Sequence, residues 1–120
     1  MTRINAGIPP AQLTRQHLIA EHRELVRIPN TIKSGKAKIA DIPEKFTLGK
    51  GHVKFFYNKL KYLHKRYEQL YAECIRRGYN MTYFGSAFDN LPTELYKDYR
   101  PTKEGIALVE ERIKERTKIN

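Results

Sequence analysis

GHVKFFYNKLKYLHKRYEQLYAECIRR, residues 51–77, decides the fold class. Val53, Phe56, Leu60, Leu63, Tyr67, Leu70 and Cys74 recur at alternating steps of three and four. That spacing lays one apolar stripe along a helix. At 1.5 Å per residue a single helix over this span would run about 40 Å, across a whole domain. Gly78 follows where a left-handed residue ends a helix, and Arg76 and Arg77 suit the negative end of its dipole. Cys74 belongs to the stripe and reads as a buried core thiol. It is the chain's one cysteine, so no internal disulfide forms.

Upstream, Pro9-Pro10 suits a helix start, and a helical pattern runs from about Ala11 to Val26 or Arg27, with Pro29 and Asn30 as its stop. Leu18, Ile19, Leu25 and Val26 spread over a core-facing side with His22 in its middle. Gln16, Ala20, Arg23 and Arg27 take the other side, with His17 and Glu24 on its flank. Small Ala20 leaves room for a ligand, and Glu24 is a lone carboxylate between two arginines. Residues 2–8 read as extended or irregular, a flexible start to the chain.

Residues 28–50 read as loop, with Lys33, Lys36, Lys38 and Lys45 available to phosphates and a helical turn near Thr31–Gly35. Lys45–Leu48 is a possible strand without a partner. Residues 79–100 are aromatic-rich without helical period, apart from a short helical stretch at Thr93–Tyr96. Some of these rings complete the core; others are placed to stack on bases or wedge into a duplex. A last helix spans about Lys103 to Lys118, capped by Thr102, with Ile106, Val109 and Ile113 as its stripe and Arg112 and Arg116 on one face. The expectation is an all-α single domain, residues 1–120, of three main helices with long loops and no substantial sheet.

With 120 residues and a net charge of +10, the chain favours a polyanionic partner, nucleic acid or an anionic membrane surface. No apolar run reaches the length of a membrane span, and the reading is a soluble, cytoplasmic protein. His17, Glu21 and His22 miss metalloprotease spacing by one residue, and zinc-finger spacing is absent. Neither a metal nor a cofactor is expected. Gly49-Lys50-Gly51 lacks the rest of a P-loop. The N-terminus remains: Thr2 has a small side chain, so removal of Met1 would expose its amine. An α-amine has a pKa near 7.7–8.0, and neighbouring arginines lower it further. Such an amine is a candidate nucleophile toward a sugar C1′, with Glu24 to stabilise the sugar cation and move protons.

Met1-Thr2-Arg3-Ile4-Asn5, Gln16-His17-Leu18, Ala20-Glu21 and Arg23-Glu24-Leu25 form one block, and Leu48-Gly49, Gly51-His52-Val53, Phe55-Phe56-Tyr57, Lys59-Leu60, Ala72-Glu73-Cys74 and Arg77-Gly78 a second. With Asp98-Tyr99, Pro101 and Ile106-Ala107, they resemble the phage-type pyrimidine-dimer DNA glycosylases, the UV-repair kind of endonuclease V. The resemblance implies an all-α, metal-free, bifunctional glycosylase and AP lyase acting on damaged double-stranded DNA, in a bacterial or phage-infected cell and as a monomer. It assigns the Thr2 amine as nucleophile and Glu24 as the essential carboxylate. Arg3, Arg23 and Arg27 match residues that hold DNA, Gln16 and His17 match residues beside the substrate, and Arg112 and Arg116 match basic positions of the last helix, Arg116 in place of a lysine. Val26 stands where a proline is common and Tyr67 replaces a polar residue. The family's aromatic, lysine-containing tail has no counterpart after Lys118-Ile119-Asn120. The alternatives are the same chemistry on another damaged or modified base, and a non-catalytic DNA-binding module.

Overall fold

A computed structural model describes residues 2–119, with side chains through residue 116. In chain order the helices are α1 (Arg15–Leu25), α2 (Arg27–Lys33), α3 (His52–Phe55), α4 (Leu60–Arg76) and α5 (Lys103–Ile119), with 3-10 turns at Pro10–Gln12, Phe56–Asn58, Gly85–Phe88 and Thr93–Leu95. Among the described residues there is no strand, so Lys45–Leu48 is loop and the fold is all-α. The long helices are α1, α4 and α5; α2 and α3 are short additions.

The span 51–77 is not one rod. The chain leaves the helix at Lys59 (φ −127°, ψ 40°), between the turn at Phe56–Asn58 and α4. Neighbouring Phe55 and Phe56 are both fully buried, at 1% and 0% exposure. On a straight helix two adjacent side chains point about 100° apart, and one of them would leave the stripe. The break lets both rings enter the core, where they meet edge to face at 5.1 Å. Lys59 closes the opened end by donating from Nζ to the Phe55 carbonyl (3.0 Å). The carbonyl of Lys97 accepts from the Tyr62 N–H at the start of α4 (3.3 Å).

From there α4 follows its stripe. Leu60, Leu63, Tyr67, Leu70 and Cys74 are completely buried, and α1 packs against them. Burying each Leu side chain is worth about 1.5–3 kcal/mol. Gly78 (φ +82°) ends α4 as expected: Tyr79 N–H donates to Cys74 O and Gly78 N–H to Ile75 O, both at 2.9 Å. These bonds satisfy carbonyls that the last turn leaves open. Arg77 extends the junction, its Nη2 donating to the carbonyls of Pro10, Ala11 and Leu13. It thereby ties the entrance of α1 to the exit of α4.

The first helix begins later than its proline pair suggests. Pro10 starts only a 3-10 turn, and Thr14 caps α1 by accepting from His17 N–H at 3.3 Å. Nor does Pro29 end the helical chain. It lies in the first turn of α2, where its missing N–H needs no partner. Its missing hydrogen bond would have reached the carbonyl of residue 25, and the break falls at Val26 (φ −69°, ψ −10°). The turn expected near Thr31–Gly35 is thus the end of a longer helix. Val26 is buried and Ile19 half-buried, as a core-facing side requires.

Candidate functional site

The first residues are not a flexible start. Thr2 (9% exposed), Ile4, Asn5, Ala6 and Ile8 are buried, and polar side chains from three helices hold the backbone between them. His52 of α3 accepts the Ile4 N–H on Nε2 at 2.9 Å. Its Nδ1 lies 2.8 Å from the Thr47 carbonyl, which makes Nδ1 the protonated nitrogen. From α4, Tyr62 accepts the Gly7 N–H on its hydroxyl (3.3 Å), and Arg66 Nη1 donates to the Ile8 carbonyl (2.5 Å). Arg112 of α5 reaches back to the Ile4 carbonyl (3.4 Å) and to Asn5 Oδ1 (3.1 Å).

A buried ion pair anchors this arm. Glu21 of α1 is 1% exposed and Arg66 is 4% exposed. Arg66 Nε donates to Glu21 Oε2 at 2.7 Å and Nη2 to Oε1 at 3.0 Å, a bidentate pairing. Asn5 Nδ2 donates to the same Oε1 at 2.9 Å. Removing one partner of such a pair leaves an uncompensated buried charge, at a cost of about 3–5 kcal/mol. The surroundings stay un-ionised where they must: burial pushes the Tyr62 hydroxyl up to about 12. Burial also lowers the pKa of His52, only partly offset by its bond to Thr47.

Of the residues singled out in the sequence, Arg3, His17, Arg112 and Arg116 come together. With Asn5 and Ile113 they line one narrow cleft of about 20 Å³, room for about one water or one oxygen of a larger anion. The His17 pKa is lowered by burial first, then by Arg112, Arg3 and Arg116. Its Nδ1 sits 3.0 Å from Thr14 Oγ1. Arg112 itself is pulled down to about 10, mainly by burial and then by Arg3, and so remains cationic at neutral pH. Guanidinium groups converging on a neutral imidazole favour an anion in the cleft.

Glu24 stands on the same helix, outside that cleft. Its side chain is 15% exposed, and Arg23 Nη2 lies 3.7 Å from Oε2. That distance is loose and Arg23 is 64% exposed, so the guanidinium is available to a ligand. Gln16 and Arg27 are exposed on the outer side of the helices, and Ala20 is half-buried. The other half of the helix-one pattern faces inward. His22 is 1% exposed and stacks on Tyr67 at 5.1 Å, with the Tyr67 hydroxyl 2.9 Å from Nε2. Glu21 is committed to Arg66. The histidines and carboxylate of helix one therefore diverge, and among the described residues no group of three His, Cys, Asp or Glu side chains is placed to share a metal. Cys74 lies fully buried, and burial raises its pKa, as a core thiol requires.

Asn5, Glu21, His52 and Arg66 form the support that sequence reasoning did not assign. One signal was present: Arg66 falls three residues after Leu63 and four before Leu70, on the apolar stripe itself. A charge on a buried stripe needs a buried partner.

The helix that anchors the chain's first residues thus also carries a half-buried carboxylate, Glu24, and one wall of a cationic cleft suited to a polyanion. The family model of pyrimidine dimer DNA glycosylase matches residues 1–84. The chain belongs to that family of DNA glycosylases, whose substrate is DNA. The matched region holds the N-terminal arm, α1 to α4, and every residue of the Glu21–Arg66 pair; α5 with Arg112 and Arg116 lies beyond it. No helix among the described residues is long and apolar enough to cross a membrane.

Proposed function

We propose that this chain is a bifunctional glycosylase and AP lyase that opens duplex DNA at a pyrimidine dimer through the α-amine of Thr2, freed when Met1 is removed. Duplex DNA is held through its phosphates by Arg3, Arg23, Arg27, Arg112 and Arg116, with Gln16 and His17 beside the displaced nucleotide. The neutral amine attacks C1′. The bond from C1′ to the base nitrogen breaks, and its electron pair leaves with the base, which takes up a proton. Glu24 stabilises the positive charge that develops on the sugar. The bound nitrogen gives up one proton, its electron pair expels O4′, which takes up a proton as the ring opens, and a protonated imine is left between Thr2 and C1′. Glu24 removes a proton from C2′, and the electron pair expels the 3′ phosphate by β-elimination. Water hydrolyses the imine and frees the amine. No metal enters the scheme. The protein acts as a monomer in the cytoplasm, in contact with the nucleoid.

The observation that carries this reading is the pinned arm. Asn5 is bonded to Glu21, and Thr2 lies only three residues before it, within about 10 Å of chain. Glu24 follows Glu21 by three residues, less than one helical turn along α1. Attacker and carboxylate therefore belong to one small, rigidly supported region. Borohydride reduction of the imine tests it. Incubation with duplex carrying a dimer or an abasic site should yield a stable protein–DNA adduct. Formylating the N-terminus should abolish that adduct, and its persistence after blocking overturns the role of Thr2. Extending the panel to oxidised and alkylated bases decides the lesion, since the same attack serves any base whose C1′ is exposed. A protein that binds all these duplexes and forms no adduct with any is a binding module.

A further inference from the structure

We infer that Asn5 is the positioning residue for the reaction, the group that fixes where the Thr2 amine stands; this rests on the reading of Thr2 as nucleophile. The Asn5 amide is bonded at both ends. Nδ2 donates to Glu21 Oε1 at 2.9 Å and Oδ1 accepts from Arg112 Nη2 at 3.1 Å. A carboxylate takes only donors and a guanidinium offers only donors, so these partners allow one orientation of the amide. Asn5 is 5% exposed, so losing either bond leaves a polar group largely cut off from bulk water.

The partners are themselves fixed. Glu21 is clamped by Arg66 through two bonds, and Arg112 is held by the Ile4 carbonyl next door. Asn5 thus bridges α1, which carries Glu24, and α5, which carries Arg112 and Arg116 of the cationic cleft. Because α4 supplies Arg66, the register of the arm is set against three helices at one residue. His52 holds the Ile4 N–H, so sliding the arm by one residue would break every one of these contacts together. The same pinning holds Arg3, the neighbour of Thr2 in the chain, in the cleft with Arg112 and Arg116, and cations lower the pKa of an amine near them.

Glu21 and Arg66 are poor probes, since either change strands a buried charge. Asn5→Ala and Asn5→Asp are better. The first removes both bonds. The second keeps the volume and the bond from Arg112 but puts a second carboxyl group at the contact with Glu21 in place of the donor, so both variants are scored per folded molecule. Adduct formation is followed in single turnovers with saturating protein on abasic duplex. Binding is measured on duplex with a tetrahydrofuran abasic analogue, which cannot form an imine. A displacement of about 1 Å at a reacting group costs about 10²-fold, and both variants should trap about 10²-fold more slowly per folded molecule at protein concentrations that saturate each variant's binding to the analogue. The acid limb of the pH–rate profile should also move up as the amine leaves the arginines. A purely structural role predicts slower trapping only in proportion to unfolded protein, with an unmoved pH profile, and that result overturns the inference. Peptide mapping of the parent adduct separates the two claims. An adduct on a lysine removes the nucleophile and the role of Asn5 with it. An adduct on Thr2 with both variants trapping at the parent rate removes Asn5 alone.

Discussion

At the scale of single residues, charge and burial give the two carboxylates of α1 different surroundings. Glu21 is sealed against Arg66, whereas Glu24 keeps 15% exposure and a loose arginine neighbour. Glu24→Gln keeps shape but removes charge and basicity, so it should lower base release by at least about 10²-fold, with DNA affinity near that of the parent. Full activity in gel-based nicking assays contradicts its role. The histidines make a separate prediction. Burial lowers the pKa of His17, His22 and His52 below 6.5. The folded chain therefore prefers the neutral rings, and the unfolded chain binds more protons just below that value. Their contribution to stability is complete above pH 6.5 and is lost as the pH falls through the folded pKa values. Urea midpoints should drop as the solution is acidified below 6.5, and a midpoint that holds steady or climbs contradicts the assignment of these rings as neutral.

At the scale of elements, the breaks between helices do as much as the helices. The turn before α4 buries adjacent phenylalanines, and the break at Val26 accommodates Pro29. Gly78 gives the cleanest test of an ending. Its φ is +82° and a Cβ there would meet nothing within 4 Å, so Gly78→Ala carries a conformational cost alone, about 1–2 kcal/mol. Urea unfolding should show that loss with nicking per folded molecule unchanged; no loss means α4 ends differently. The sequence showed α4's buried face, the Gly78 ending and the Thr102 cap, whose Oγ1 accepts the Gly105 N–H at 3.0 Å, because each is a local pattern. It did not show the break at Lys59, since alternating three and four steps pass through residues 53–74 undisturbed. What decides that break is tertiary, the burial of Phe55 beside Phe56. Likewise Pro29 read as a stop because a proline's first-turn tolerance and its helix-breaking effect look alike without the upstream carbonyl.

Across the whole molecule, the +10 net charge and the convergence of Arg3, Arg112 and Arg116 should make DNA affinity steeply dependent on salt. Each phosphate contact adds about 0.9 to the log–log slope. Arg116→Ala should reduce the slope by about one contact and weaken all duplexes alike; a lesion-selective loss with an unchanged slope contradicts a phosphate role. Here the sequence was only partly legible. The resemblance named Thr2, Glu24 and the arginines, and composition named the polyanion. Neither disclosed that the opening residues are a buried arm, because Asn5, Glu21, Arg66 and Arg112 stand as far as 107 residues apart in the chain and carry no shared spacing. An isolated reading of residues 2–8 finds no periodicity and calls them loose; only the fold supplies their partners. The account rests on what that arm presents. Its most direct test is to reduce the complex with abasic DNA by borohydride, digest it, and locate the sugar remnant by mass spectrometry. The account predicts the remnant on the α-nitrogen of Thr2, in a peptide lacking Met1. A remnant on any lysine, or on a peptide that retains Met1, contradicts it.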